Sequence, residues 1–230
     1  LEQLRKLAKE CDAGAVYWSR RYEPAAIDRD QSIKKSLRKE GFDAESFNAS
    51  LLFEPWQVQT QEDKPYKVFT PFWNALLKLP EPAEPRDAPR RIEPPGSWPD
   101  SLAIEDLELE PKIDWAGGIE KEWTPGEEGA VARLRSFLGR AVNDYDDDRD
   151  RPDRAGTSML SPHLHFGEIS PRRVWHLVRQ NSGNRGVSKL GKGPQTFLKE
   201  LAWREFAHHL LYHFPRTTDQ PLRSEFADFP

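Results

Sequence analysis

The sequence predicts an α/β layer followed by an all-α region, joined by a long proline-rich connector. Three observations lead there. Residues 1–79 alternate helical apolar stripes with short apolar runs, the pattern of a parallel sheet covered by helices. Residues 80–123 carry prolines at 80, 82, 85, 89, 94, 95 and 99, where neither helix interiors nor central strands persist. Residues 124–230 return to helical periodicity with clear start signals.

Taken in order, Leu1, Leu4, Leu7 and Ala8 recur at helical spacing. Ala15 to Trp18 is a short apolar run, read as a buried strand. Pro24 opens a helix through Ile27, Ile33 and Leu37 that stops at Gly41. Phe47 to Phe53 suggests a second strand or a loop. Pro71 opens an apolar-striped helix through Leu76, Leu77 and Leu79. So few strands make a partial, Rossmann-like sheet with an open edge. The connector reads as a linker, although Trp98, Trp115 and Trp123 argue that parts of it pack. Thr124, Pro125 and Glu127 then mark a helix start, and Ala130, Leu134, Phe137, Leu138 and Ala141 form its stripe. Ser170 and Pro171 open the next helix. The last long helix runs from near Pro194 towards His213, and Pro215 ends it.

Composition narrows the function classes. The 230 residues are 37% hydrophobic and 31% charged, with net charge -4, which argues against a histone-like, purely electrostatic nucleic-acid binder. Cys11 is the only cysteine. An internal disulfide and a multi-thiolate zinc site are therefore impossible, and a reducing, cytoplasmic setting is expected. No apolar run approaches a membrane span. The first ten residues are charged and amphipathic, unlike a signal peptide, and lack an initiator Met, so the sequence is expected to continue upstream.

Two stretches could carry chemistry. Gly156-Thr157-Ser158-Met159-Leu160-Ser161-Pro162 sets small hydroxyls beside a glycine, a turn whose N–H and O–H groups can converge on an anion. A capped helix–helix turn is the alternative. In Lys199 to Phe206, Glu200 and Arg204 stand four apart and can meet on one helix face beside Trp203. Such a set can stack on and orient a planar ring, or be a common ion pair next to a core Trp. His163, His165, His208, His209 and His213 form no convincing metal cluster, and no Walker, nucleophile-elbow or zincin motif is present.

These stretches, with Pro162-His163-Leu164-His165-Phe166-Gly167-Glu168-Ile169-Ser170-Pro171, are similar in sequence and order to the flavin-binding domain of DNA photolyases. Val16 to Pro24 resembles a late strand and helix of that family's α/β domain, and Tyr66 to Phe72 the segment that closes it. The resemblance covers essentially the whole chain. It implies the C-terminal part of an α/β antenna domain over 1–79, an interdomain connector over 80–123, and the N-terminal part of a helical FAD-binding domain over 124–230. The chain would be a middle portion, without the first strands and without the later helices around the isoalloxazine.

The resemblance also implies roles. Tyr145 would lie near the FAD phosphates, and Thr157, Ser158, Leu160 and Ser161 in the diphosphate loop. Glu200 would stand at the rim of the lesion pocket, Trp203 against an extruded pyrimidine dimer, and Arg204 beside it near flavin and DNA backbone. No side chain would act as nucleophile or general base. The implied activity is light-driven repair of cyclobutane pyrimidine dimers by electron transfer from reduced FAD, in a monomer acting on damaged DNA. A cryptochrome-type blue-light receptor and a non-enzymatic helical interaction module are the alternatives. Arg172, Arg173, Lys189 and Lys192 are candidates, with Arg204, for a local positive surface. Met159 departs from relatives that carry a basic residue there. Lys64-Pro65 departs from folate-antenna members, leaving the type of any antenna chromophore open.

Overall fold

A computed structural model describes residues 1–110, 112–113 and 115–227. Helix α1 (Glu2–Glu10) leads into strand β1 (Ala15–Ser19), helix α2 (Pro24–Lys39) and strand β2 (Asp43–Phe47). The strands pair in parallel, Ala15 opposite Asp43 through Ser19 opposite Phe47. A parallel pair needs a crossover, and α2 supplies it. Pro24 sits at its start, where a missing N–H costs nothing. Gly41, at φ +90°, turns the chain out of it.

Two strand expectations need correction. The second strand lies at Asp43–Phe47, before the expected 47–53 stretch. It tucks small Ala44 and Ser46 inward and keeps Asp43 and Phe47 exposed, so its alternation carries almost no hydrophobic signal. Strand β1 is half exposed rather than buried, with Tyr17 packed edge-on against Phe47 on the surface. The expected strand or loop at 47–53 is a loop that drives Leu51 and Leu52 into the interior.

Helix α3 (Phe69–Leu76) follows, starting two residues before Pro71. In the connector only the short helix α4 (Gly117–Glu122) and a 3₁₀ turn at Glu105–Leu107 are regular among the described residues. Of its tryptophans, Trp123 alone packs, edge-on to His163 and under the Arg133 guanidinium. Trp98 and Trp115 are 77% and 66% exposed, contrary to expectation. The large apolar residues nearest them in sequence, Leu102, Ile113 and Ile119, are exposed as well, so this stretch gathers no core of its own.

The rest is helical: α5 (Gly126–Arg140), α6 (Tyr145–Asp148), α7 (Ser161–His165), α8 (Pro171–Asn181) and α9 (Lys192–His213). Pro125 caps α5 from outside rather than occupying its first turn. Ser170 caps α8 by accepting the Arg173 N–H. The main core is continuous. Leu52, Val58, Phe72, Trp73 and Leu76 share it with Leu134, Phe137, Val174, Trp175, Leu198, Leu201 and Phe206. Helix α9 runs through its middle and is buried on most sides, including the polar side chains Glu205 and His209.

Gly193 in the first turn of α9 lies against the turn Val142–Asp144 that precedes Tyr145. A Cβ there would overlap the backbone carbonyl oxygens of Val142 and Asn143. Backbone cannot yield as a side-chain tip can. Gly193→Ala should therefore destabilise the protein by about 1–3 kcal/mol, reversing the usual helix preference. Gly139→Ala, on α5 with open space around it, should stabilise by about 0.5–1 kcal/mol. Thermal unfolding of the two variants checks both signs.

Candidate functional site

A cleft of about 940 Å³ opens between the turn after β1 and the helical region. Its helical wall comes mainly from α9. Phe197, Glu200, Leu201, Arg204 and His208 recur at three- and four-residue intervals and so share one face. Tyr145, Ser158, Leu160 and Ser161 complete that side. Arg20, Arg21, Tyr22 and Ser50 close it from the N-terminal region. Six of the eight sequence-predicted site residues therefore meet around one cavity.

Tyr145 opens α6 just after the turn that Gly193 holds. Its ring meets Phe137 and Phe197 edge-on, at 5.6 and 5.2 Å between centroids. Burial, then the charge of Glu200, raises its pKa, so the phenol stays a neutral donor. Helix α6 is tied to α9 by Thr196, which donates to Asp146 at 2.6 Å, and by the Lys192–Asp146 ion pair at 2.5 Å. The Lys192 contact, followed by the Thr196 hydroxyl, holds Asp146 below its ordinary pKa.

The 156–161 loop is shaped by close approach. A Cβ on Gly156 would stand 2.6 Å from the Asp148 Cβ and 2.7 Å from its carbonyl oxygen, so only glycine passes there without displacement. Met159 then takes a left-handed conformation, φ +54°. Its side chain is exposed while Leu160 is fully buried. Ser158 and Ser161 border the cleft. Thr157 does not. With Met159, Arg133 and Arg140 it lines a neighbouring cavity of about 550 Å³ along α5, which Ser158 also touches. Helix α7 has only five residues, too short to aim a strong dipole.

The expected Glu200–Arg204 pair does not form. Arg149, in the acidic run after Tyr145, takes the Glu200 carboxylate, and this contact raises the Arg149 pKa. The Arg204 guanidinium instead donates to the Ser50 carbonyl. Each charge found a partner on another element, which spacing along one helix cannot reveal. Trp203 stands apart from the other site residues. It is 47% exposed but lies outside the cleft lining, its indole stacked on Phe69 with centroids 3.7 Å apart and planes 9° apart. One position from Arg204 is about 100° around the helix, which turns it to the adjacent face.

Of the expected positive surface, Arg173 and Lys192 are paired with carboxylates, those of Glu127 and Asp146. Arg172 donates to the Leu52 carbonyl at 3.3 Å.

Glu205 was not singled out by sequence, and it anchors the site. Its buried carboxylate accepts the N–H groups of Leu52 at 2.9 Å and Phe53 at 3.2 Å. Just beyond, His209 accepts the Tyr66 N–H at 3.0 Å on Nε2 and faces the Pro55 carbonyl with Nδ1 at 3.2 Å. His213 donates to the same carbonyl at 3.1 Å. His209 and His213 are thus spent on backbone groups. No set of three or more potential ligands gathers to hold a metal among the described residues. No helix among them is long and apolar enough to cross a membrane.

Comparison with known proteins agrees with this architecture. Residues 1–90 match the family described as DNA photolyase. A deoxyribodipyrimidine photo-lyase of Agrobacterium fabrum is 41% identical over 227 residues, 98% of this chain and 47% of that protein. The chain belongs to the photolyase/cryptochrome family. Its fold superimposes on the crystal structure of a bacterial class III photolyase from Agrobacterium tumefaciens with a TM-score of 0.90, at 40% identity, over 100% of this chain and 47% of that one. Cryptochrome-1 of Arabidopsis thaliana is 31% identical over 234 residues, 99% of this chain and 34% of that protein. The chain spans about half the length of the curated photo-lyases it matches, and the family's succession of α/β and helical parts is the one observed here.

The buried anchors give the fold a defined pH response. Burial pushes the Glu205 carboxyl up to about 8, against the opposing pull of the Leu52 and Phe53 amides. The folded state therefore holds this proton more tightly than the unfolded chain, and the stability involved is lost as pH rises from about 4.5 through 8. Burial, then His213, lowers His209 to about 4. That stability is lost as pH falls from about 6.5 through 4. The two trends oppose below about pH 6.5, and only the Glu205 trend remains above it. Glu205→Gln keeps an acceptor for both amides but cannot titrate. Melting temperature should fall between pH 6.5 and 8 in the unsubstituted chain and stay level in the variant.

Proposed function

We propose that the protein carrying this chain is a FAD-dependent photolyase that repairs cyclobutane pyrimidine dimers in DNA under light. The observation that carries this reading is the single cleft joining Tyr145, Ser158, Leu160 and Ser161 to Glu200 and Arg204, in a chain of this family. The residues present fit a dinucleotide. Its volume is that of a ligand cleft. Hydroxyls of Tyr145, Ser158 and Ser161 with the Arg204 guanidinium suit a diphosphate, and Phe197 offers an aromatic wall. Thr157 would reach the cofactor from the adjoining cavity.

When bound, reduced FAD would supply the photoexcited electron that opens the cyclobutane ring and then returns. This chain's residues bind and orient. Arg149 holds the Glu200 carboxylate in place at the rim, available to accept hydrogen bonds from an extruded base. Arg204, anchored on Ser50, keeps a permanent positive charge beside the cleft. Trp203 offers an aromatic surface that offsets part of the cost of unstacking a lesion. No proton transfer by a side chain is required.

The similarity to Arabidopsis cryptochrome-1 supports a second reading, a blue-light receptor on the same fold. Illumination of a thymine-dimer oligonucleotide with the full-length protein separates the two. Light-dependent loss of the dimer is expected, and flavin absorbance without repair would favour the receptor. In the same assay system, Trp203→Ala should weaken binding to the dimer-containing strand by about 1–3 kcal/mol, the worth of one base–aromatic stack. Undamaged duplex, held through its backbone, should bind almost as before. Loss of FAD content in that variant would instead show Trp203 to be a core residue.

A further inference from the structure

We propose that Phe69 is a positioning residue for Trp203: it backs one face of the indole and so presents the opposite face to an incoming nucleobase. The inference rests on the lesion-binding reading of Trp203 given above. Its basis is a three-ring arrangement bridging two helices. Phe69, in the first turn of α3, lies flat on Trp203 of α9 at 3.7 Å and 9°. Phe206 meets both edge-on, at 5.9 Å from Phe69 with planes 69° apart and 5.9 Å from Trp203 with planes 73° apart.

Phe69 covers one face this closely, yet 47% of Trp203 stays exposed, so a base would stack on the opposite face. A free surface indole samples several rotamers and must give up that freedom when a base stacks on it. Here the freedom is already lost, because Phe69 fills one side and Phe206 the edge. Pre-organisation of this kind raises affinity without adding a contact to the ligand. A flat hydrophobic ring backed by a second ring also continues the stacking a base leaves when it is extruded.

Phe69 is not the main anchor of α3. Phe72, Trp73 and Leu76 bury that helix, whereas Phe69 is only half-buried. The segment is held besides by the Tyr66 N–H bonded to His209.

The test uses the full-length protein carrying this chain, with a thymine-dimer strand and an undamaged duplex as probes. Phe69→Leu should weaken dimer-strand binding about 2- to 10-fold, the range expected for one aromatic pair, and leave undamaged duplex essentially unchanged. Phe69→Tyr keeps the stacked ring and should restore dimer affinity. On a Trp203→Ala background, Phe69→Leu should cost nothing further, because the ring it positions is gone. If Phe69→Leu leaves dimer affinity intact while Trp203→Ala lowers it, the positioning role is wrong and the lesion reading stands. Equal losses for both probes, unrescued by Phe69→Tyr, would make Phe69 a packing residue and overturn the inference. If Trp203→Ala itself leaves dimer affinity unchanged, the lesion reading falls and this inference with it.

Discussion

The Glu205 carboxylate, accepting two backbone N–H groups from the Leu52–Phe53 loop, is the contact on which the cleft depends. The loop that carries Ser50 to the cleft wall has no strand or helix to satisfy its amides. Buried and unpaired, each would cost about 1–3 kcal/mol. Glu205 takes two of them, Arg172 reaches the Leu52 carbonyl, and Arg204 takes the Ser50 carbonyl. Two successive residues of α9 thus grip the same loop, Glu205 accepting from its amides and Arg204 donating to its carbonyl. His209 and His213 continue the grip at Pro55 and Tyr66. A side chain able to hydrogen-bond backbone is tolerated inside a core where an unpaired one would not be.

Electrostatics inside this grip differs from its appearance on paper. Most of the arginines in the helical region point at carboxylates or carbonyls of the same chain: Arg149 at Glu200, Arg173 at Glu127, Arg179 at Glu81. Paired in this way they orient elements more than they attract phosphate. At net charge -4, DNA affinity by the proposed function would draw on a few placed cations such as Arg204, and on stacking, rather than on a broad basic face. Aromatic rings supply the other half of the architecture. Phe137, Tyr145 and Phe197 interlock behind the cleft, and Phe69, Trp203 and Phe206 form a second group on the neighbouring face of α9.

The sequence by itself determined the class and order of the elements. A short apolar run, prolines at helix starts, a proline-dense connector and the long stripe from Phe197 to Leu210 all reflect local rules of backbone geometry and burial period. The motifs around 157–171 and 199–206 located the candidate residues, and six of the eight converge on one cleft. Only the tertiary structure decided the partners. Strand β2 escaped notice because a strand under a helix can bury alanine and serine instead of large apolar residues. Glu200 chose Arg149 across 51 positions, Arg204 chose Ser50, and Trp203 chose Phe69. Helical periodicity states which residues share a face. Which groups from distant segments arrive at that face is set by packing of the whole chain, since hydrogen bonds and stacked rings form between neighbours in space and carry no mark of it in the local sequence.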